Sequence, residues 1–125
     1  MGDSDTYRTL LAAGSVVTAT GSTIVRVPME VDASTLDLVV NITAVSGTSP
    51  TIRFAVARDT ETKRGTWPSN FGTATQTATL STTGRTVLSV PSAIDPLIGA
   101  CPPFVRVTWT VTGTTPSFTL GLYIE

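Results

Sequence analysis

At 125 residues and a formal net charge of −1, from eight basic and nine acidic side chains, the chain has the size of one domain and lacks the basic excess of a nucleic-acid binder. It contains no His, which removes the usual general base at neutral pH and the commonest transition-metal ligand, and its single Cys excludes an intramolecular disulfide. Twenty-five Thr against one Lys, with few helix formers outside short Ala and Leu patches, favour a pleated, half-buried surface and an all-β class.

In chain order, residues 1–6 are polar, carry Asp3 and Asp5, and read as a mobile or partner-held arm ahead of a single domain spanning residues 7–125. Short strand-like runs follow at 6–11 and 15–20, split by Ala12-Ala13-Gly14, and Gly21-Ser22 turns the chain into a run at 24–31. There Val25, Val27, Met29 and Val31 share one face, and Pro28 marks an edge strand or a bulge. A turn at 32–35, capped by Asp32, leads into a strand with Leu36, Leu38, Val40 and Ile42 on one face.

After Arg58 comes the most polar stretch, residues 59–65, and then Thr66-Trp67-Pro68-Ser69-Asn70-Phe71-Gly72, the longest clear loop. Two strands at 73–81 and 85–90 are predicted as a tight hairpin around Thr82-Thr83-Gly84. Residues 91–103 form a crossing loop, since Pro91, Pro96, Pro102 and Pro103 forbid a central strand while Ile94, Leu97 and Ile98 can pack beneath it. The last pair is the clearest. Val105, Val107, Trp109 and Val111 alternate on one side of Thr112-Gly113-Thr114-Thr115-Pro116, and Phe118, Leu120, Leu122 and Ile124 on the other, which predicts a second hairpin.

One motif occurs twice. Val45-Ser46-Gly47-Thr48-Ser49-Pro50-Thr51-Ile52 matches Val111-Thr112-Gly113-Thr114-Thr115-Pro116-Ser117-Phe118 at an offset of 66, and Ile52, Phe54 and Val56 then correspond to Phe118, Leu120 and Leu122. Upstream the parity fails, because Leu38, Val40 and Ile42 align with Phe104, Arg106 and Thr108, so one strand carries a bulge. The repeat reads as one hairpin used twice, not as half the protein used twice. Eight or nine strands with hairpins and a long crossover predict a two-sheet antiparallel β-sandwich, jelly-roll or immunoglobulin-like.

Active-site signals are absent: there is no phosphate-cradling glycine motif, no Ser or Cys with a His partner, and no metal-ligand spacing, so the expectation is a non-enzyme without catalytic residues, cofactor or metal. Asp59 and Glu61 read as a solvated acidic loop rather than a Ca²⁺ site, Asp37 as an outward strand position, and Cys101, between Ala100 and Pro102, as a small buried apolar side chain. No apolar run reaches the ~20 residues of a membrane helix, and the polar, acidic start lacks a secretory pattern; a soluble product without a membrane role is expected. The aromatic loop either offers Trp67 and Phe71 as contact area or folds Trp67 back over one end of the sandwich.

The segment from Leu38 to Val56, with its Ser46-Gly47-Thr48-Ser49-Pro50 turn, and the run Phe104-Val105-Arg106-Val107-Thr108-Trp109-Thr110-Val111 through Phe118 resemble small virion proteins of tailed bacteriophages. Those proteins carry an early Gly-Thr-Ser-Pro-Thr turn, a loop bearing Trp, a Thr-rich strand and a closing hairpin, in the order found here over residues 36–125; the first 35 residues are not covered. The resemblance implies a capsid decoration (cement) protein, made in the bacterial host cytoplasm and located on the virion, that binds the outer surface of the assembled major capsid protein and stabilises the head. Tyr7, Arg8, Trp67 and Phe71 are the expected contact residues. A trimer at a capsid three-fold would place the edge strand near Pro28 at the subunit contact. The alternatives are a tail or neck component, or a virion-displayed carbohydrate-binding module using Trp67, Phe71 and Tyr123. Residues 59–64 depart from the acidic-Gly turn that precedes Trp in the family.

Overall fold

The runs on either side of each Thr-Gly-Thr segment belong to two long strands, not to two hairpins. The computed structural model describes residues 8–26, 35–58, 71–72, 74–91 and 104–124. Among these lie six strands: β1 (Arg8–Val17), β2 (Gly21–Arg26), β3 (Thr35–Arg58), β4 (Thr75–Gln76), β5 (Gly84–Pro91) and β6 (Phe104–Ile124). The expected N-terminal arm, the Pro28 edge, the turn at Asp32, the loop with Asp59, Glu61 and Trp67, and Cys101 fall outside the described residues.

All six strands join one antiparallel sheet. Its middle is the ladder between β3 and β6, which run side by side from Leu38 opposite Ile124 to Arg58 opposite Val105. β1 and β2 both pair with β6, and β4 and β5 both pair with β3. The predicted hairpin around residues 112–116 is therefore corrected: the two arms of that segment pair with β3, not with each other. The predicted hairpin at Thr82-Thr83-Gly84 is corrected likewise, since Leu80 bridges Ile52 in one half of β3 while β5 pairs with residues 35–42 in the other. The expected runs at 6–11 and 15–20 are likewise corrected, since the chain continues through Ala12-Ala13-Gly14 as the single strand β1; fusion of six expected strands into three accounts for six among the described residues where eight or nine were expected.

The turn chemistry is present but produces a kink instead of a reversal. Gly47 and Ser49 have φ of 112° and 49°, and Gly113 and Thr115 have 119° and 47°, so each long strand holds two left-handed residues separated by one Thr. The kinks face each other, with Thr48 opposite Thr114 and register shifts on either side. A Cβ on Gly47 would lie 2.6 Å from the Thr115 carbonyl oxygen and 2.9 Å from Pro116 Cα; on Gly113 it would lie 2.8 Å from the Ser49 oxygen and 2.9 Å from Pro50 Cα. Each glycine thus admits the Ser/Thr-Pro step of the other strand, an approach available only when the two motifs meet. The Thr51 and Thr112 hydroxyls hydrogen-bond beside the crossing.

Apolar alternation decides which face is inside. Leu38, Val40, Ile52, Phe54, Val105, Val107, Phe118, Leu120 and Leu122 are inaccessible to solvent and belong to one hydrophobic cluster that draws on both ends of the ladder. Each such side chain contributes roughly 1.5–3 kcal/mol relative to exposure. The parity mismatch upstream of the motif resolves at Thr43: Ile42 pairs with Leu120 and Ala44 with Thr119, so β3 holds one extra residue there. Asp37 points outward as expected and accepts a 2.8 Å hydrogen bond from the Ser89 hydroxyl.

The register also shows that the repeat extends over the whole described chain. Gly21 lies opposite Trp109 as Gly84 lies opposite Ile42; Val25 opposite Val105 as Leu88 opposite Leu38; Val17 opposite Phe118 as Leu80 opposite Ile52. The described residues of 8–58 and those of 71–124 are thus related by an internal two-fold pattern in which each half lends its first two strands to the other half's long strand. A sequence signal accompanies it. Thr20-Gly21-Ser22-Thr23-Ile24-Val25-Arg26-Val27-Pro28 and Thr83-Gly84-Arg85-Thr86-Val87-Leu88-Ser89-Val90-Pro91, 63 positions apart, share five identities.

Candidate functional site

Charge and aromatic side chains concentrate on the outward face at one end of the ladder. Period-two alternation turns Ile24 and Arg26 of β2 and Phe104 and Arg106 of β6 away from the core, because Val25, Val105 and Val107 face it. Register sets Arg26 opposite Phe104 and Ile24 opposite Arg106. The Arg26 guanidinium carbon lies 5.7 Å from the centre of the Phe104 ring, and that of Arg106 lies 4.9 Å from the centre of the Phe71 ring. Phe71 reaches this position because the Gly72 amide donates to the Arg58 carbonyl, 2.9 Å away, at the edge of β3. Ala57, opposite Arg106, is only 3% exposed although it points away from the core cluster.

Arg53 completes the basic set on this half. Its Nε donates to the Thr77 carbonyl at 2.9 Å, and Thr77 anchors the neighbouring backbone: its hydroxyl accepts from the Phe54 amide at 3.1 Å and donates to the Ala78 carbonyl at 2.7 Å. The described residues include six Arg and a single acid, Asp37, which sits on the other half beside β5. The remaining acids lie outside the described residues. Arg26 and Arg106 are exposed, and a guanidinium held against a Phe ring keeps in-plane N–H donors of the kind that bind a carboxylate in bidentate fashion.

Of the expected contact residues, Tyr7 and Trp67 lie outside the described residues. The backbone of Arg8 pairs with Ile124 at one end of the ladder, whereas Phe71 lies beside Arg58 at the other. These two occupy equivalent places in the two halves and are not ladder neighbours. Tyr123, considered for a sugar platform, pairs with Thr9 and Val39 near the Ile124 end, apart along the ladder from Phe71. Sequence reasoning did not single out Arg26, Phe104 and Arg106. Alternation marked Arg106 as outward, but its Phe71 partner is 35 positions away and only the register reveals it.

Among the described residues no three of His, Cys, Asp and Glu gather where they could hold a metal ion. The arrangement of stacked cations and an aliphatic side chain on a rigid sheet suits non-covalent contact with an acidic protein surface. In comparisons with known proteins, no family model and no curated protein matches the chain.

Proposed function

We propose that the protein is a structural, adhesive component of a bacteriophage virion, a capsid decoration protein that binds the outer surface of the assembled major capsid protein and stabilises the head. The observation that carries this reading is the Arg26–Phe104 and Arg106–Phe71 face on a sheet whose central strands are locked together at Gly47 and Gly113. It joins a pre-organised cationic surface to a framework with little freedom to lose on docking. The likeness of residues 36–125 to small phage virion proteins supplies the partner class. In the same reading the two ends of the ladder fold toward each other around the shared cluster as a two-layer sandwich, and trimers form on the capsid.

The test is co-sedimentation of the purified protein with undecorated, expanded capsids. Saturable binding that weakens with salt and with loss of Arg26 and Arg106 is expected; no saturable binding overturns the reading. Assembly end to end into tubes would instead favour a tail component, and specific hits on a glycan array a carbohydrate-binding module.

A further inference from the structure

Val16, Ile24 and Val87 are the exposed large apolar side chains of the described residues, and two of them, Ile24 and Val87, are equivalent under the internal two-fold pattern. They sit at the centres of the outward faces of β2 and β5, each of which has a strand partner on one side only among the described residues. The two edges share an apolar centre and differ in charge. On β2 the row is Ser22, Ile24, Arg26, backed by Thr108, Arg106 and Phe104 of β6, with no acid. On β5 the row is Arg85, Val87, Ser89, backed by Asn41, Val39 and Asp37 of β3.

We infer that the β5 edge is a self-complementary interface through which two copies of this chain pair across a two-fold axis centred on Val87. In an antiparallel pairing of two β5 strands about that point, Val87 meets Val87 of the second copy, and Arg85 lies opposite Ser89 of the second copy. Ser89 is the residue whose hydroxyl is held by Asp37 on the next strand. Arg85 then reaches over the neighbouring strand to the carboxylate of Asp37 in the second copy, two strand spacings or about 9.6 Å of sheet away. Within one copy Arg85 and Ser89 are four residues apart on the same strand, about 13 Å, so among the described residues the arginine gains a carboxylate only on pairing. The contact occurs twice by symmetry. On the inner face Leu88, half-buried against the core cluster, comes opposite Thr86 of the second copy and extends the apolar layer.

The same pairing about Ile24 on β2 would set Arg26 opposite Ser22 of the second copy, with Thr108 behind it and no acid in the described rows. That edge gains no ion pair on pairing whereas the β5 edge gains two, and charge selects between two otherwise equivalent strands. The inference is independent of the capsid reading, because it concerns the free protein.

Sedimentation velocity on the full chain over a wide concentration range tests it, with melting curves to confirm that each variant is folded. A concentration-dependent dimer is expected. Val87→Lys abolishes it, Arg85→Asp weakens it by roughly tenfold through two like-charge contacts, and Arg85→Asp with Asp37→Arg restores it. Ile24→Lys leaves it unchanged. A monomer at all concentrations, a trimer, or a dimer lost with Ile24→Lys and kept with Val87→Lys overturns the inference.

Discussion

Gly47 and Gly113 face each other's Ser/Thr-Pro steps across the crossing of β3 and β6, each within about 3 Å of backbone that a methyl group would strike. The two contacts are near copies of one another, down to the paired positive φ angles at Ser49 and Thr115. A molecule with two hairpins would need these glycines only for conformation. Here they are also required for space, and the obstructing atoms are backbone that cannot rotate away.

Gly47→Ala and Gly113→Ala are therefore expected to destabilise by similar amounts, about 3 kcal/mol each, from left-handed strain plus overpacking. Urea titrations measure this. A pair of hairpins, with each glycine in its own turn, would give the strain cost without the clash, and Ala would cost about 1–2 kcal/mol.

The extra residue at Thr43 sets which face of β3 is buried before the crossing. Removing it shifts Leu36, Leu38, Val40 and Ile42 by one position relative to the kink, and period-two geometry then turns all four out of the core. Deletion of Thr43 is expected to abolish cooperative unfolding, read by near-UV circular dichroism. Substitution of Thr43 by Ser, which keeps the hydroxyl that donates to the Thr119 carbonyl, changes stability by less than about 0.5 kcal/mol.

The buried faces of β2, β3 and β6 were legible in the sequence, because alternation at Leu36 to Ile42, Val105 to Val111 and Phe118 to Ile124 reports burial without knowledge of the partner strand. Pairing was not legible. Gly113 and Pro116 carry turn chemistry whether the chain reverses or kinks, and what separates the two outcomes is the second motif at Gly47, which acts only when it faces the first. The same limit applies to the surface: Arg106 could be read as outward, but its stacking on Phe71 depends on the Gly72 to Arg58 hydrogen bond at a sheet edge. The wider repeat was available in Thr20 to Pro28 and Thr83 to Pro91, but it has a different offset, 63 against 66, and escapes a search at a constant period.

Thr77 fixes the short β4 segment to β3 through its side chain as well as its backbone, with only 5% of its surface exposed. Thr77→Val preserves shape and removes the acceptor for the Phe54 amide, leaving a buried donor unmet. A loss of about 1–3 kcal/mol is expected. Thr77→Ser keeps the acceptor and recovers most of it, which separates the hydrogen bond from packing; amide exchange at Phe54 should quicken in the Val variant and not in the Ser variant.

Arg106 is exposed and bears on Phe71, so its role in stability and its role in docking can be separated. The stack is worth roughly 0.5–1 kcal/mol at an exposed site, so Arg106→Ala should lower stability by no more than that. Docking onto an acidic surface depends instead on a guanidinium held flat with its donors outward. Arg106→Lys keeps the charge but loses the planar fork and much of the stack, and it should restore the long-range, salt-sensitive part of capsid binding without restoring the affinity. Capsid co-sedimentation at low and high salt reads both quantities. Equal binding by the Arg, Lys and Ala forms would place the docking surface elsewhere on the molecule, and full rescue by Lys would reduce the site to a simple charge.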